Sequence, residues 1–97
     1  MSAIGVIATL TVADGKNEAF EAVFADLAAA VRANEPGNLF YTLTRSRSNP
    51  QVYKVLEQYV DQDALTAHGT SDYFKAAGPM LGACLAGAPE VEYLDAL

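Results

Sequence analysis

The chain has 97 residues, of which 52% are hydrophobic, and its formal net charge at pH 7 is −6. A chain of this length can build one hydrophobic core but not two, so we expect a single domain over residues 1–97. Its six basic residues are scattered, and we expect no nucleic-acid binding, because neutralising phosphates requires clustered Lys and Arg.

The one cysteine, Cys84, cannot form an intramolecular disulfide, and the chain shows no Cys or His spacing typical of a metal site. This cysteine usage fits a reducing cytoplasm. The first apolar run, residues 4–12, has no basic segment before it and is too short to span a bilayer. We therefore expect a cytoplasmic protein with no export signal and no membrane anchor.

The first half of the chain predicts a strand, a helix and a turn. Residues 4–12 are rich in β-branched side chains and precede the turn signal Asp14-Gly15. Residues 16–34 then follow a helical period, with one apolar stripe formed by Phe20, Val23, Phe24, Leu27 and Val31. Glu35-Pro36-Gly37 ends this helix, because proline disfavours helical geometry at the residue before it and glycine accommodates a turn.

Two further strands are predicted next, joined by a hairpin loop over residues 46–51. The first of them covers residues 38–45. The second covers residues 52–60 and alternates strictly, so that its odd-numbered side chains share one face of the sheet. Those side chains are Tyr53, Val55, Glu57 and Tyr59.

A short helix capped by Asp61 follows, and it contains the single histidine of the chain. Ala64, Leu65 and His68 stand three and four residues apart, so the imidazole shares the apolar, inward side of this helix. Gly69 is expected to end the helix. A carboxylate, two phenols and an imidazole should therefore approach one apolar space from the third strand and this helix.

Ser71 can cap another helix from Asp72, and residues 90–95 read as the last strand. The order β-α-β-β-α-β predicts an α+β, ferredoxin-like fold, in which an antiparallel sheet carries its helices on one face. The uncovered face would present either Ile4, Val6, Ala8 and Leu10 or their alternates. A second copy should cover it, which would give a homodimeric α+β barrel.

Several short motifs in this order resemble the antibiotic biosynthesis monooxygenase domain family. The motifs are Glu35-Pro36-Gly37 with Leu39-x-Tyr41, Leu56-Glu57-x-Tyr59, and Ala64-Leu65-x-Ala67-His68, followed by Ser71 and Phe74. The resemblance extends over essentially the whole chain and is nearest to small quinol monooxygenases, which are dimeric α+β barrels. It implies a pocket between sheet and helices, lined by Tyr41, Glu57, Tyr59, His68 and Phe74.

The resemblance also has two departures. Tyr59 stands where many relatives have Trp, and Tyr73 stands where many have a second His, so a mechanism with two histidines is not matched. The predicted catalytic residues are His68 and Glu57, and the predicted substrate-binding residues are Tyr41, Tyr59, Tyr73 and Phe74. No metal ligand and no cofactor are predicted.

Two residues allow more than one interpretation. His68 can act as a general base towards a phenol, or it can simply favour the end of its helix. Glu57 interrupts an apolar strand, where an unpaired carboxylate is costly. It should therefore pair with His68, or else lie at the rim and bond to solvent or an arginine; we expect the pairing.

These observations together predict a cofactor-independent monooxygenase that oxidises a quinol or other electron-rich aromatic with dioxygen. Its partner would be a small aromatic or hydrophobic molecule. Two alternatives remain open at this point. One is a non-catalytic dimer that binds a small hydrophobic ligand, and the other is an isomerase related to autoinducer processing.

Overall fold

The computed structural model describes residues 2–97, which form four strands and three helices. In chain order these are β1 (Ile4–Thr11), α1 (Asn17–Asn34), β2 (Asn38–Arg45), β3 (Val52–Tyr59), α2 (Gln62–Thr70), α3 (Asp72–Gly82) and β4 (Glu90–Asp95). The strands make one antiparallel sheet in the order β2-β3-β1-β4. The predicted ferredoxin-like α+β fold is thereby confirmed.

Alternation along the strands decides which side chains face the helices. On β3, Tyr53, Val55, Glu57 and Tyr59 are all buried, as predicted. On β1, Val6 and Leu10 are also buried beneath the helices, so the outer face carries their alternates. Ile7 therefore lies on the outer face, where it pairs with Leu56 of β3.

Helix α1 covers the β2–β3 side of the sheet with its predicted apolar stripe. Phe20 packs against Tyr53 in a tilted arrangement with ring centroids 4.8 Å apart, and Phe24 stacks on Tyr41 with centroids 5.1 Å apart. The Tyr53 hydroxyl donates to Glu21, so this buried phenol keeps a hydrogen-bond partner. Neither α1 nor any other helix within residues 2–97 is long and apolar enough to cross a membrane.

Helices α2 and α3 follow one another with a single residue between them. The Asp61 side chain caps α2 by accepting from the Ala64 backbone N–H at 2.9 Å. The helix then continues through Gly69 to Thr70, so the expectation that Gly69 ends it is wrong. Ser71 ends it instead: its hydroxyl donates to the His68 carbonyl at 2.7 Å and accepts from the Phe74 N–H at 3.3 Å.

Candidate active site

A cavity of about 760 Å³ lies between the inner face of the sheet and helices α2 and α3. This volume is in the range of small-molecule sites. Most of its lining is apolar, and the residues that define its walls include Ile4, Val6, Ala8, Leu10, Phe20, Phe24, Tyr41, Val55, Leu65, Phe74, Leu81, Val91 and Tyr93. Such a wall favours a ligand with a hydrophobic or aromatic body.

His68 and Glu57 supply titratable groups to this apolar wall, and both are buried. His68 projects from the last turn of α2 into a cluster of aromatic rings. Its ring centroid lies 5.2 Å from that of Tyr41, 5.4 Å from that of Tyr59 and 4.6 Å from that of Phe74. Strands β2 and β3 and helix α3 therefore hold the imidazole from three sides.

The partner of the imidazole is Glu35, at the end of α1. His68 Nδ1 lies 3.0 Å from Glu35 Oε2 and 3.2 Å from Oε1, and the two side chains are only 5% and 6% exposed. The Tyr73 hydroxyl donates to the same Oε2 atom. The predicted pairing of His68 with Glu57 is therefore wrong, because the turn after α1 brings a different carboxylate to Nδ1.

Glu57 instead accepts a hydrogen bond from the Tyr59 hydroxyl at 2.7 Å. Burial raises the pKa of Glu57, the hydrogen bond from Tyr59 lowers it and the nearby Glu35 carboxylate raises it, and the net result is a pKa of about 7. Burial, together with the Glu57 carboxyl, also raises the pKa of the Tyr59 and Tyr41 phenols. Glu57 can therefore exchange a proton near neutral pH, whereas both phenols keep theirs.

The predicted site residues divide into two groups. Tyr41, Glu57, His68 and Phe74 all line the cavity. Tyr59 does not: it is fully buried behind the wall and acts through its bond to Glu57. Tyr73 also lies outside the lining, where it bonds to Glu35. The resemblance was thus wrong in placing Tyr59 on the cavity wall, because its hydroxyl is used to satisfy a buried carboxylate.

Glu35 is the site residue that sequence reasoning missed. In the sequence it stands in the turn Glu35-Pro36-Gly37, whose composition indicates only the end of a helix. One signal was nevertheless available, since a negative side chain at a helix C-terminus is disfavoured by the helix dipole. A buried partner that offsets this unfavourable effect is what the structure supplies, in His68 and Tyr73.

The titratable side chains of the cavity wall include two carboxyl groups and one imidazole. Asp95 lies on the wall together with Glu57 and His68, and no Lys or Arg does so among residues 2–97. Within the same residues, no group of three or more His, Cys, Asp or Glu side chains could hold a metal ion. The arrangement is suited to proton transfer in an apolar space.

Both a protein-family model and solved structures match this chain. The family model described as antibiotic biosynthesis monooxygenase matches residues 3–79. No curated protein shows a significant match to the chain.

Solved structures resemble the chain over nearly its whole length. One, from Caulobacter crescentus CB15 and provisionally named an antibiotic biosynthesis monooxygenase, is 59% identical with a TM-score of 0.96, covering 99% of this chain and 91% of its own. A conserved protein from Methanosarcina mazei Go1 is 30% identical with a TM-score of 0.90, covering 97% and 92%. A Pseudomonas aeruginosa protein is 30% identical with a TM-score of 0.88, covering 100% and 96%.

Proposed function

Since the chain belongs to the antibiotic biosynthesis monooxygenase family, we propose that it oxidises a quinol or similar electron-rich aromatic with dioxygen, without a bound cofactor. The observation that carries this proposal is the apolar cavity of about 760 Å³ whose wall includes the imidazole of His68 and the carboxyl of Glu57. Acid–base groups in an apolar, aromatic pocket are what proton removal from a phenol requires.

The proposed reaction begins when His68 removes a phenolic proton from the bound substrate. The phenolate passes an electron to dioxygen, and the resulting pair recombines to a peroxide at a ring carbon. Loss of water then leaves a new carbonyl or hydroxyl on a quinone ring. One oxygen atom enters the product and the other leaves as water, with all four electrons supplied by the substrate.

Each predicted residue has a place in this reaction. Glu57 can return a proton to the departing oxygen, because the raised pKa of its carboxyl keeps part of it protonated near pH 7. Tyr41 and Phe74 supply faces against which an aromatic ring can stack. Tyr59 and Tyr73 act indirectly, by holding Glu57 and Glu35.

The charges of the cavity favour an uncharged substrate. Glu57 and Asp95 line it and the chain has a net charge of −6, so a substrate carboxylate would meet like charge in an apolar space. A neutral hydroquinone avoids that cost and offers hydroxyl groups to both His68 and Glu57. Quinols without an acidic substituent are therefore the substrates to test first.

We further propose that the working form is a homodimer joined through the outer sheet face. Phe40, Leu56 and Leu94 lie there and are 44%, 36% and 39% exposed. Covering such side chains is worth roughly 25 cal/mol for each Å² of apolar surface removed from water. A second copy of the same sheet would supply a matching apolar surface.

The direct test is an oxygen electrode with uncharged hydroquinones and an anthrone, each beside a carboxylated analogue, in the presence of a metal chelator. We expect oxygen uptake above the autoxidation rate with the uncharged compounds. His68→Gln should lower it by about a hundredfold or more, as for loss of a general base. Gln is chosen because it can still donate to Glu35.

The matched control is Glu18→Gln, which removes one exposed carboxylate that does not line the cavity and should leave uptake unchanged. Uptake no faster than autoxidation with every compound would contradict the proposal. Tight binding without turnover would then favour a ligand-binding protein, and turnover without oxygen consumption would favour an isomerase.

A further inference from the structure

We propose that Glu35 is a positioning residue: it holds the His68 imidazole with its proton on Nδ1 and so presents an unprotonated Nε2 to the cavity. The catalytic consequence rests on the proposed function, because only a bare Nε2 can accept the phenolic proton. The tautomer itself is a property of the resting protein and can be measured without any turnover.

The first support is the geometry of the imidazole. Nδ1 is bound to both oxygens of Glu35, at 3.0 and 3.2 Å. His68 lines the cavity, and no hydrogen bond to its Nε2 occurs within residues 2–97. Every buried side-chain nitrogen or oxygen in those residues has a hydrogen-bond partner. Nε2 has no such partner, so it is not fully buried, and the cavity that His68 lines is the space it opens to.

The second support is the bonding of the carboxylate. The Tyr73 hydroxyl donates to Glu35 Oε2, and His68 Nδ1 approaches the same atom. One oxygen contacted by two such groups serves as the acceptor for both, so Nδ1 must carry the hydrogen. A side chain only 6% exposed also needs these donors, since a buried carboxylate without hydrogen bonds is strongly disfavoured.

The third support is that no other group around the ring is placed to accept a hydrogen bond from the imidazole in place of Glu35. Tyr41 from β2, Tyr59 from β3 and Phe74 from α3 contact it as aromatic rings. Glu57 is occupied by the Tyr59 hydroxyl. Glu35 therefore sets the tautomer, and it also stabilises the imidazolium that forms when Nε2 takes a proton from the substrate.

Because the chain has one histidine, nitrogen-15 labelling of histidine gives the spectrum of His68 alone. At a pH where the imidazole is neutral, we expect the spectrum of the wild-type protein to show a protonated Nδ1 and a bare Nε2. Glu35→Met, which is similar in length but cannot accept strongly, should shift the population towards the Nε2-protonated tautomer. Glu18→Met removes an exposed carboxylate that does not contact the ring, and it should retain the wild-type tautomer.

A wild-type spectrum with the proton on Nε2 overturns the proposal. This measurement uses only the wild-type protein, so it does not depend on whether any variant folds. An unchanged tautomer in folded Glu35→Met overturns it as well. With a quinol substrate, Glu35→Met should lower kcat by roughly tenfold or more while KM changes less than about threefold. Unchanged kcat would remove the positioning role. Failure of oxygen uptake alone would count only against the proposed function, since the tautomer is read independently.

Discussion

At the scale of single residues, two carboxylates with buried side chains differ in their hydrogen-bond donors: Glu57 on the cavity wall, and Glu35, which contacts His68. Glu35 has donors from both His68 and Tyr73. Glu57 has one donor, Tyr59, which only partly offsets its burial, and its pKa is raised to about 7. Burial that a single hydrogen bond only partly offsets is therefore what leaves Glu57 able to exchange a proton near neutral pH.

The raised pKa of Glu57 predicts a pH-dependent stability. The pKa of this carboxyl is about 7 in the folded protein against an ordinary value of 4.5, so the folded state binds the proton more tightly than the unfolded state. The contribution of Glu57 to the free energy of unfolding is therefore fully present below pH 4.5 and is lost as pH rises through about 7. Between about pH 5 and pH 8, the free energy of unfolding should fall by roughly 1–3 kcal/mol from this group.

Urea denaturation at several pH values measures this effect at constant protein concentration. Glu57→Gln keeps an acceptor for Tyr59 but cannot ionise, so its stability should be flatter across this range. Glu18→Gln removes an exposed carboxylate and should follow the wild-type curve. Parallel curves for Glu57→Gln and the wild-type protein would show that Glu57 does not titrate as described.

At the scale of secondary structure, the site depends on how closely α2 approaches the turn after α1. Gly37 lies in this turn, and a Cβ at that position would stand 2.6 Å from the Ala64 Cβ of α2. The Val60 N–H also donates to the Gly37 carbonyl at 2.9 Å, which ties the end of β3 to the same turn. This close approach is what brings His68 to Glu35.

Gly37→Ala should therefore push α2 away from the turn and lower the free energy of unfolding by about 1–3 kcal/mol, as overpacking does. The histidine spectrum should report weakened contact with Glu35 in the same variant. Thermal and urea denaturation measure the loss of stability.

Gly69→Ala is the matched control, because a Cβ there meets nothing within 4 Å and Gly69 lies inside α2. It should leave stability unchanged or raise it by roughly 0.5–1 kcal/mol. Equal effects of the two substitutions would mean that the contact between Gly37 and Ala64 is unimportant.

At the scale of the whole molecule, the three helices cover one face of the sheet and leave apolar side chains on the other. If two sheets pack through this face, Leu56→Glu should place a charge in the interface and weaken association by about a hundredfold or more. Sedimentation equilibrium at micromolar concentration measures this. We expect a dimer for the wild-type chain and largely monomer for the variant.

Met80→Glu provides the control, since Met80 is 56% exposed on α3, away from the outer sheet face. It should remain dimeric. A wild-type chain that sediments as a stable, folded monomer would contradict the barrel arrangement and leave the outer face as a solvent-exposed surface.

The sequence by itself determined the order of the elements and the inward face of β3. These features depend on neighbours along the chain: the period of apolar residues, the turn at Glu35-Pro36-Gly37 and the caps at Asp61 and Ser71. For the same reason, residues 52–74 could be recognised as the centre of the site. The cavity does bring Glu57, His68, Tyr41 and Phe74 together.

Only the tertiary structure decided how the groups of the site are paired. Glu35 and His68 are 33 residues apart, and their contact depends on the packing of α2 against a turn, which no local period encodes. Register likewise decided that Val6 rather than Ile7 faces the helices. A local pattern can place a carboxylate near an imidazole, but which of two carboxylates reaches Nδ1 is set by distances of a few ångströms between separate elements.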